Sequence, residues 1–286
     1  ELYVDDQFFS EDNIFEKIVT SFIYNLMDFG EMKLLILDFS KSTWKELPKQ
    51  FDQQQSPQKN ETTFLGTVIK PYYHTSIDER IAFINNLASH NVSYVKEDET
   101  YFVDQSGLMS NSISINSAID SNIHYVPNIT AVICEYDLIE TFLNQNINPV
   151  MVNILVAGFP NIRRLKNRFP ELNIWGHRVG YNLLEDYVSV RAFSQLCLLS
   201  GISYLHIGTP CSKAEAIHKN QLCNELNVVH PYFIPVFTKT SQEIVRIINN
   251  DIHHQKILMA CGYIRDKLGR IDNKKVVEWA KVCLNE

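Results

Sequence analysis

Two kinds of apolar pattern alternate along most of this chain. Short continuous runs occur at 64–70 (FLGTVIK), 92–96 (VSYVK), 124–130, 149–155 (PVMVNIL), 173–177 (NIWGH), 204–208 (YLHIG), 232–238 (YFIPVFT) and 256–262 (KILMACG). Their length and content of branched and aromatic residues predict strands. Between them, apolar residues recur at helical spacing near 78–89, 110–121, 134–144, 158–168, 185–200, 213–226 and 241–250, with a last helix at 274–284. Capping boxes mark three of the helix starts: Ser76 with Glu79, Ser212 with Glu215, and Thr240 with Glu243. In each, hydroxyl and carboxylate satisfy backbone N–H groups that the first helical turn leaves unbonded. Strands apolar on both faces and alternating with helices imply a parallel sheet covered on both sides. Eight such units in about 220 residues match the size of a (β/α)8 TIM barrel. A doubly wound open sheet is the alternative, disfavoured by the absence of a Gly-rich first turn.

The segment before residue 64 follows another pattern. Ile14, Ile18, Phe22, Ile23 and Leu26 lie at helical spacing within Asn13–Asp28, and Met32–Phe39 (MKLLILDF) has strand character. Residues 44–63 are polar and Gln-rich and contain two prolines, as a linker or long surface loop does. One helix and one strand cannot cover a sheet, so residues 1–63 are expected to form part of an α+β (ferredoxin-like) domain plus linker. Residues 64–286 would form the barrel.

Composition narrows the function classes. The 286 residues carry 26 Lys and Arg against 33 Asp and Glu, a net charge of −7, which argues against nucleic acid or an anionic membrane as the main partner. Ten glycines and no GxGxxG or GxxxxGK[ST] motif exclude the Gly-rich loops of dinucleotide and nucleoside triphosphate sites. Six cysteines without a CxxC pair point away from metal ribbons and redox dithiols. No apolar run reaches the length of a membrane span, and no signal peptide precedes the three Asn-x-Ser/Thr sequons, so a cytoplasmic location is expected. The first residue is Glu1, as in a fragment or processed chain.

A barrel of this kind builds its site at the C-terminal ends of the strands. The polar residues there are Lys70, the run Lys96-Glu97-Asp98-Glu99, His177-Arg178, His206 and Thr238. An ammonium on an apolar strand is costly to bury without a partner. Strand alternation places Tyr94, Lys96 and Asp98 on one face, with Glu99 where the strand opens into its loop. Two carboxylates and a third oxygen donor would suit Mg2+. Bare lysine would repel the cation, whereas a lysine carbamylated by CO2 presents an anionic carboxylate. The plainer alternative is a charged, solvated loop.

In register, these segments resemble the large subunit of RuBisCO and the RuBisCO-like proteins. The similar stretches are TSFIYNLMDF (20–29), GTVIKP (66–71), YVKEDE (94–99), NIWGHR (173–178) and LLSGISYLHIGT (198–209), with Lys213 placed as in the mobile loop after the sixth barrel strand. The resemblance spans roughly residues 12–284. It implies a carbamylated Lys96 joined by Asp98 and Glu99 around Mg2+, with Lys70 as acid/base lysine and His177 as a second proton-transfer group. Arg178, His206 and Thr238 would bind one substrate phosphate, Lys213 would close over the reacting carbon, and Asn25 would reach in from a neighbouring subunit.

Departures from the family pattern shape the expected activity. Tyr72 stands where the family has a second lysine, Lys239-Thr240 replaces small glycines, and Cys261-Gly262-Tyr263 replaces a Gly-Gly-Gly run. Those glycines let backbone approach a phosphate closely, so one phosphate pocket persists while the other is degraded. The family's N-terminal domain is also longer. The resemblance therefore implies a RuBisCO-like, Mg2+-dependent isomerase or lyase that abstracts a proton next to a carbonyl of a small, monophosphorylated compound. A non-catalytic ligand-binding or structural subunit is the alternative, and a true carboxylase is disfavoured. The partner would be a second copy, in a homodimer, or a related subunit.

Overall fold

The computed structural model describes residues 2–3, 13–18, 33–38, 62–69, 76–97, 105–207, 233–238, 242–252, 255–260, 263–266 and 272–284. Near the N-terminus, β1 (Leu2–Tyr3) and β2 (Leu37–Asp38) form a short parallel pair. Eight further strands follow: β3 (Thr63–Ile69), β4 (Val92–Glu97), β5 (His124–Val126), β6 (Val150–Asn153), β7 (Ile174–His177), β8 (Tyr204–His206), β9 (Ile234–Thr238) and β10 (Lys256–Ala260). They form one parallel sheet in the order β5-β4-β3-β10-β9-β8-β7-β6. β5 and β6 are its two edges, and an isolated parallel bridge between Asn128 and Met151 joins them. Two backbone hydrogen bonds of 2.8 Å support it: Ile129 N–H donates to Met151 O, and Met151 N–H donates to Pro127 O. The sheet is thus nearly closed into a (β/α)8 barrel.

Strand alternation sorts side chains into two cores. Val68, Tyr94, Val126, Met151, Trp175, Val236, Ile257 and Met259 fill the barrel interior. Their sequence neighbours, including Ile69, Val95, Tyr125, Val150, Val152, Ile174, Leu205, Phe237 and Leu258, pack outward against the helices. Each strand is therefore apolar on both faces, which is why it reads as a continuous run. Two strand glycines lie in close contact with neighbouring side chains. A Cβ on Gly66 would sit 2.3 Å from Met259 Sδ inside the barrel. On Gly176, facing outward, it would lie 2.8 Å from Ile154 Cδ1 and 2.9 Å from Ile202 Cδ1.

Most expected elements lie where the pattern places them, with shifted ends. The strand expected over 124–130 stops at Val126, and that over 149–155 stops at Asn153, where the turn Ile154–Ala157 begins. The helix expected from 185 begins at Val190, because Ser189 caps it by accepting from Ala192 N–H. The helix expected near 110–121 runs Gln105–Ala118. The capping box at Ser76 and Glu79 is formed as expected, on the helix Ile77–Ala88. The other two boxes and the helix near 213–226 lie outside the described residues.

Of the strand expected over Met32–Phe39, the described residues 33–38 hold the short strand Leu37–Asp38 and a bridge from Leu34 to Val188. Its hydrogen bonds go largely to the barrel. Leu34 N–H donates to Tyr187 O and Ser189 N–H donates to Leu34 O, both at 2.8 Å. The buried Gln195 amide then brackets Leu37, accepting from its N–H and donating to its C=O, each at 2.9 Å. Of the helix expected within Asn13–Asp28, Ile14–Ile18 is described, and Phe15 stacks on Phe159 of the barrel layer. Among the described residues no helix is long and apolar enough to cross a membrane.

Candidate active site

Lys96, Asn153, His177 and His206 stand at or next to the C-terminal ends of β4, β6, β7 and β8. Each keeps the parity of an interior residue two positions earlier: Tyr94, Met151, Trp175 and Tyr204. That parity directs all four inward, above an aromatic floor. Trp175 stacks on Tyr204 with ring centres 5.4 Å apart, and Tyr94 lies 5.7 Å from Trp175 and 6.0 Å from Tyr204. His206 rests on this layer, 5.8 Å from Trp175, and meets His177 edge to face at 4.7 Å.

The described part of the site is buried and carries basic side chains. Lys96 is only 2% exposed and His206 3%. Burial, reinforced by the charges of Lys96, His177 and Arg178, holds the His206 imidazole well below its usual pKa. His206 is therefore neutral at physiological pH. Two buried polar atoms of the barrel interior, Trp175 Nε1 and His206 Nε2, have no hydrogen-bond partner among the described residues. An unsatisfied buried donor or acceptor is costly and suits a ligand group.

His177 is half-buried, and its Nδ1 lies 3.1 Å from Asn153 Oδ1. Arg178, one residue on, is buried with its guanidinium carbon 5.0 Å from the centre of the Tyr181 ring. It is near enough to Cys197 to oppose the rise that burial imposes on that thiol's pKa. Tyr181 is fixed in turn by donating to Val188 O at 2.8 Å.

Glu97 faces the opposite way from Lys96. Its carboxylate accepts from Arg80 Nη1 at 2.5 Å and from the Tyr125 hydroxyl, between β4, β5 and the helix Ile77–Ala88. Burial raises the pKa of Glu97, opposed by Arg80 and Tyr125. Of the run Lys96-Glu97-Asp98-Glu99, the second residue thus belongs to the barrel wall.

Of the residues singled out in the sequence, the structure brings Lys96, His177 and His206 together at one barrel mouth, while Arg178 packs on Tyr181 and acts on His206 through its charge. The backbone of Thr238 ends β9 opposite Met259. Lys70, Asp98, Glu99, Lys213 and Asn25 lie outside the described residues, as do Tyr72, Lys239, Thr240, Cys261 and Gly262. Tyr263 is exposed. Among the described residues no three His, Cys, Asp or Glu side chains cluster to hold a metal ion. Asn153 was not singled out. It ends the apolar run VMVN, and the two-residue alternation that marks Lys96 and His177 selects it equally.

No family model and no curated protein sequence matches the chain. Solved structures do. A RuBisCO-like protein from Burkholderia fungorum superposes with a TM-score of 0.60 at 21% identity, over 76% of this chain and 57% of that one. The dimeric archaeal Rubisco of Hyperthermus butylicus gives 0.61 at 18%, over 84% and 63%. The octameric Rubisco of Pyrococcus horikoshii gives 0.60 at 17%, over 78% and 59%. The fold is therefore that of RuBisCO and the RuBisCO-like proteins, and the chain spans less than two thirds of the length of these structures.

Proposed function

We propose that this chain is a divergent RuBisCO-like enzyme that moves a proton next to a carbonyl group of a small phosphorylated compound. The observation that carries this reading is the buried Lys96 at the barrel mouth, beside a buried His206 whose Nε2 has no hydrogen-bond partner among the described residues. A lysine buried in a purely structural barrel would be a lasting cost. Here it stands where enzymes of this architecture work.

The donor chemistry fits Mg2+: a carbamate on Lys96, with Asp98 and Glu99, would supply oxygen ligands. When bound, the ion would hold a carbonyl and an adjacent hydroxyl and acidify the C–H between them. The chain's own residues would do the rest. Lys70 would accept a proton, His177 would accept or return one, and Lys213 would close over the reacting carbon. Arg178, His206 and Thr238 would hold a single phosphate, the Arg178 charge and the His206 imidazole being suited to its oxygens. Loss of the glycines at 239, 240, 261 and 263 favours one phosphate over two.

The same reading assigns residues 1–63 to a partial N-terminal domain with its linker and residues 64–286 to the barrel, in a cytoplasmic protein. Dimeric and octameric relatives support at least a homodimer, with Asn25 crossing to the partner's barrel.

A calorimetric Mg2+ titration tests the proposal, run with bicarbonate and again in CO2-depleted buffer, beside Lys96→Ala. Bicarbonate-dependent binding that the variant loses is the expected result. Absence of binding under both conditions would overturn the enzyme reading in favour of a ligand-binding or structural subunit.

A further inference from the structure

We infer that Asn153 is a positioning residue that confines proton exchange at His177 to Nε2. The inference deepens the proton-transfer role proposed for His177, but its geometry and its test stand apart from any activity.

With Oδ1 of Asn153 as the amide atom that faces it, the imidazole nitrogen 3.1 Å away is the one that carries hydrogen, because an amide oxygen only accepts. This holds in both protonation states. In neutral His177, Nδ1–H donates to Asn153 and Nε2 has the lone pair. In the imidazolium, Nδ1–H still donates, and the added proton resides on Nε2. Nε2 is thus the nitrogen that gains and loses a proton. When it takes one, its lone pair forms the new N–H bond, and the pair of the broken C–H or O–H bond stays on the ligand. An unconstrained neutral histidine side chain favours hydrogen on Nε2, the tautomer that cannot act this way.

Asn153 is itself held firmly. It is 1% exposed and ends β6 at the seam where the barrel closes. Its backbone N–H donates to Thr130 Oγ1 at 2.8 Å, and Thr130 Oγ1 donates to Asn128 Oδ1 at 2.6 Å. Thr130 N–H also donates to Asn128 Oδ1, at 3.0 Å. Asn128 in turn forms the bridge to Met151 that joins β5 to β6. The chain Asn128, Thr130, Asn153, His177 therefore runs from the closing bridge to the mouth of the barrel. The register of the seam and the orientation of the histidine are set together, as outer partners orient a functional imidazole elsewhere.

The test is nitrogen-15 NMR of the imidazoles of the full chain without added metal or ligand, at a pH where His177 is neutral. The His177 signals are assigned by their loss in His177→Gln. The expected wild-type spectrum has a pyrrole-type shift at Nδ1 and a pyridine-type shift at Nε2. Asn153→Leu should move the neutral population toward hydrogen on Nε2, and Asn153→Asp, which keeps an acceptor, should retain it on Nδ1. Hydrogen on Nε2 in the wild type, or an unchanged tautomer in Asn153→Leu, would overturn the inference. Should Asn153→Leu fail to fold, the wild-type spectrum and Asn153→Asp still decide it. Failure of Mg2+ to bind would leave this readout untouched, so the two proposals fail separately.

Discussion

Glu97 meets Arg80 at 2.5 Å on the outer side of the barrel wall, while Lys96, the preceding residue, is buried on the inner side. The two charges are consecutive in the chain, yet the alternation of β4 separates them across the sheet. The ion pair, with Tyr125 as a second donor, fastens the end of β4 to the helix Ile77–Ala88. It thereby holds the strand position from which Lys96 enters the barrel.

Removing one member of a buried pair leaves the other charge uncompensated, a loss of about 3–5 kcal/mol. Arg80→Met should therefore be strongly destabilising in urea unfolding. Adding Glu97→Leu should recover part of that loss, because no lone charge then remains. A double variant as unstable as the sum of both single changes would show that the pair is not coupled.

The buried His206 makes stability depend on pH. Its pKa in the folded chain lies well below the ordinary 6.5, from burial first and then from Lys96, His177 and Arg178. Below about pH 6.5 the unfolded chain binds the proton and the folded chain does not, so this stabilisation is present above 6.5 and lost as pH falls toward the folded value. One such group changes stability by at most about 1.4 kcal/mol per pH unit. Unfolding midpoints at pH 7.5, 6.5 and 5.5 should show a shallower acid-side slope in His206→Gln than in wild type. Equal slopes would contradict the assignment.

A methyl group on Gly176 would force two isoleucine side chains to shift. With Ile154 and Ile202 both inside 3.0 Å of an added Cβ, Gly176→Ala should cost about 1–3 kcal/mol through overpacking. Trimming the nearer part of the obstacle with Ile154→Val should restore some of that loss. Thermal unfolding of both single variants and the double variant checks this, and simple additivity would count against a steric cause.

The N-terminal segment is held partly by one side chain. Replacing Gln195 by Leu removes the donor and the acceptor that bracket Leu37 and leaves two backbone groups unpaired, about 1–3 kcal/mol for each group that stays buried. Amide hydrogen exchange at Leu37 should accelerate in Gln195→Leu more than exchange at β6 or β7. Uniform acceleration would indicate global loosening instead.

Much of the barrel is legible along the chain because its strands are buried on both faces. FLGTVIK, VMVN and KILMA read as continuous apolar runs, and a polar residue near the end of such a run, as with Lys96, His177 and His206, stands out. Asn153 did not stand out, since an uncharged amide closing an apolar run carries little signal until its neighbour on β7 is known. Glu97 was hidden for the opposite reason. It sits in a run of four charged residues, and only its packing against Arg80 and Tyr125 separates it from them. The stretch Met32–Phe39 has strand character throughout, but most of its backbone partners lie in the loop and helix around Val188 and Gln195, at a distance no local pattern encodes.

Local order in the sequence determined the alternation of strand and helix, the helix cap at Ser76, and which side of each strand its residues face. These follow from backbone period and from hydrogen bonds that reach only three or four residues. Tertiary structure decided the rest: the closure at Asn128 and Met151, the outward clamp of Arg80 on Glu97, and the approach of Asn153 to His177. Those contacts join segments 17 to 24 residues apart in the chain. Their geometry exists only once the strands have taken their places around the barrel.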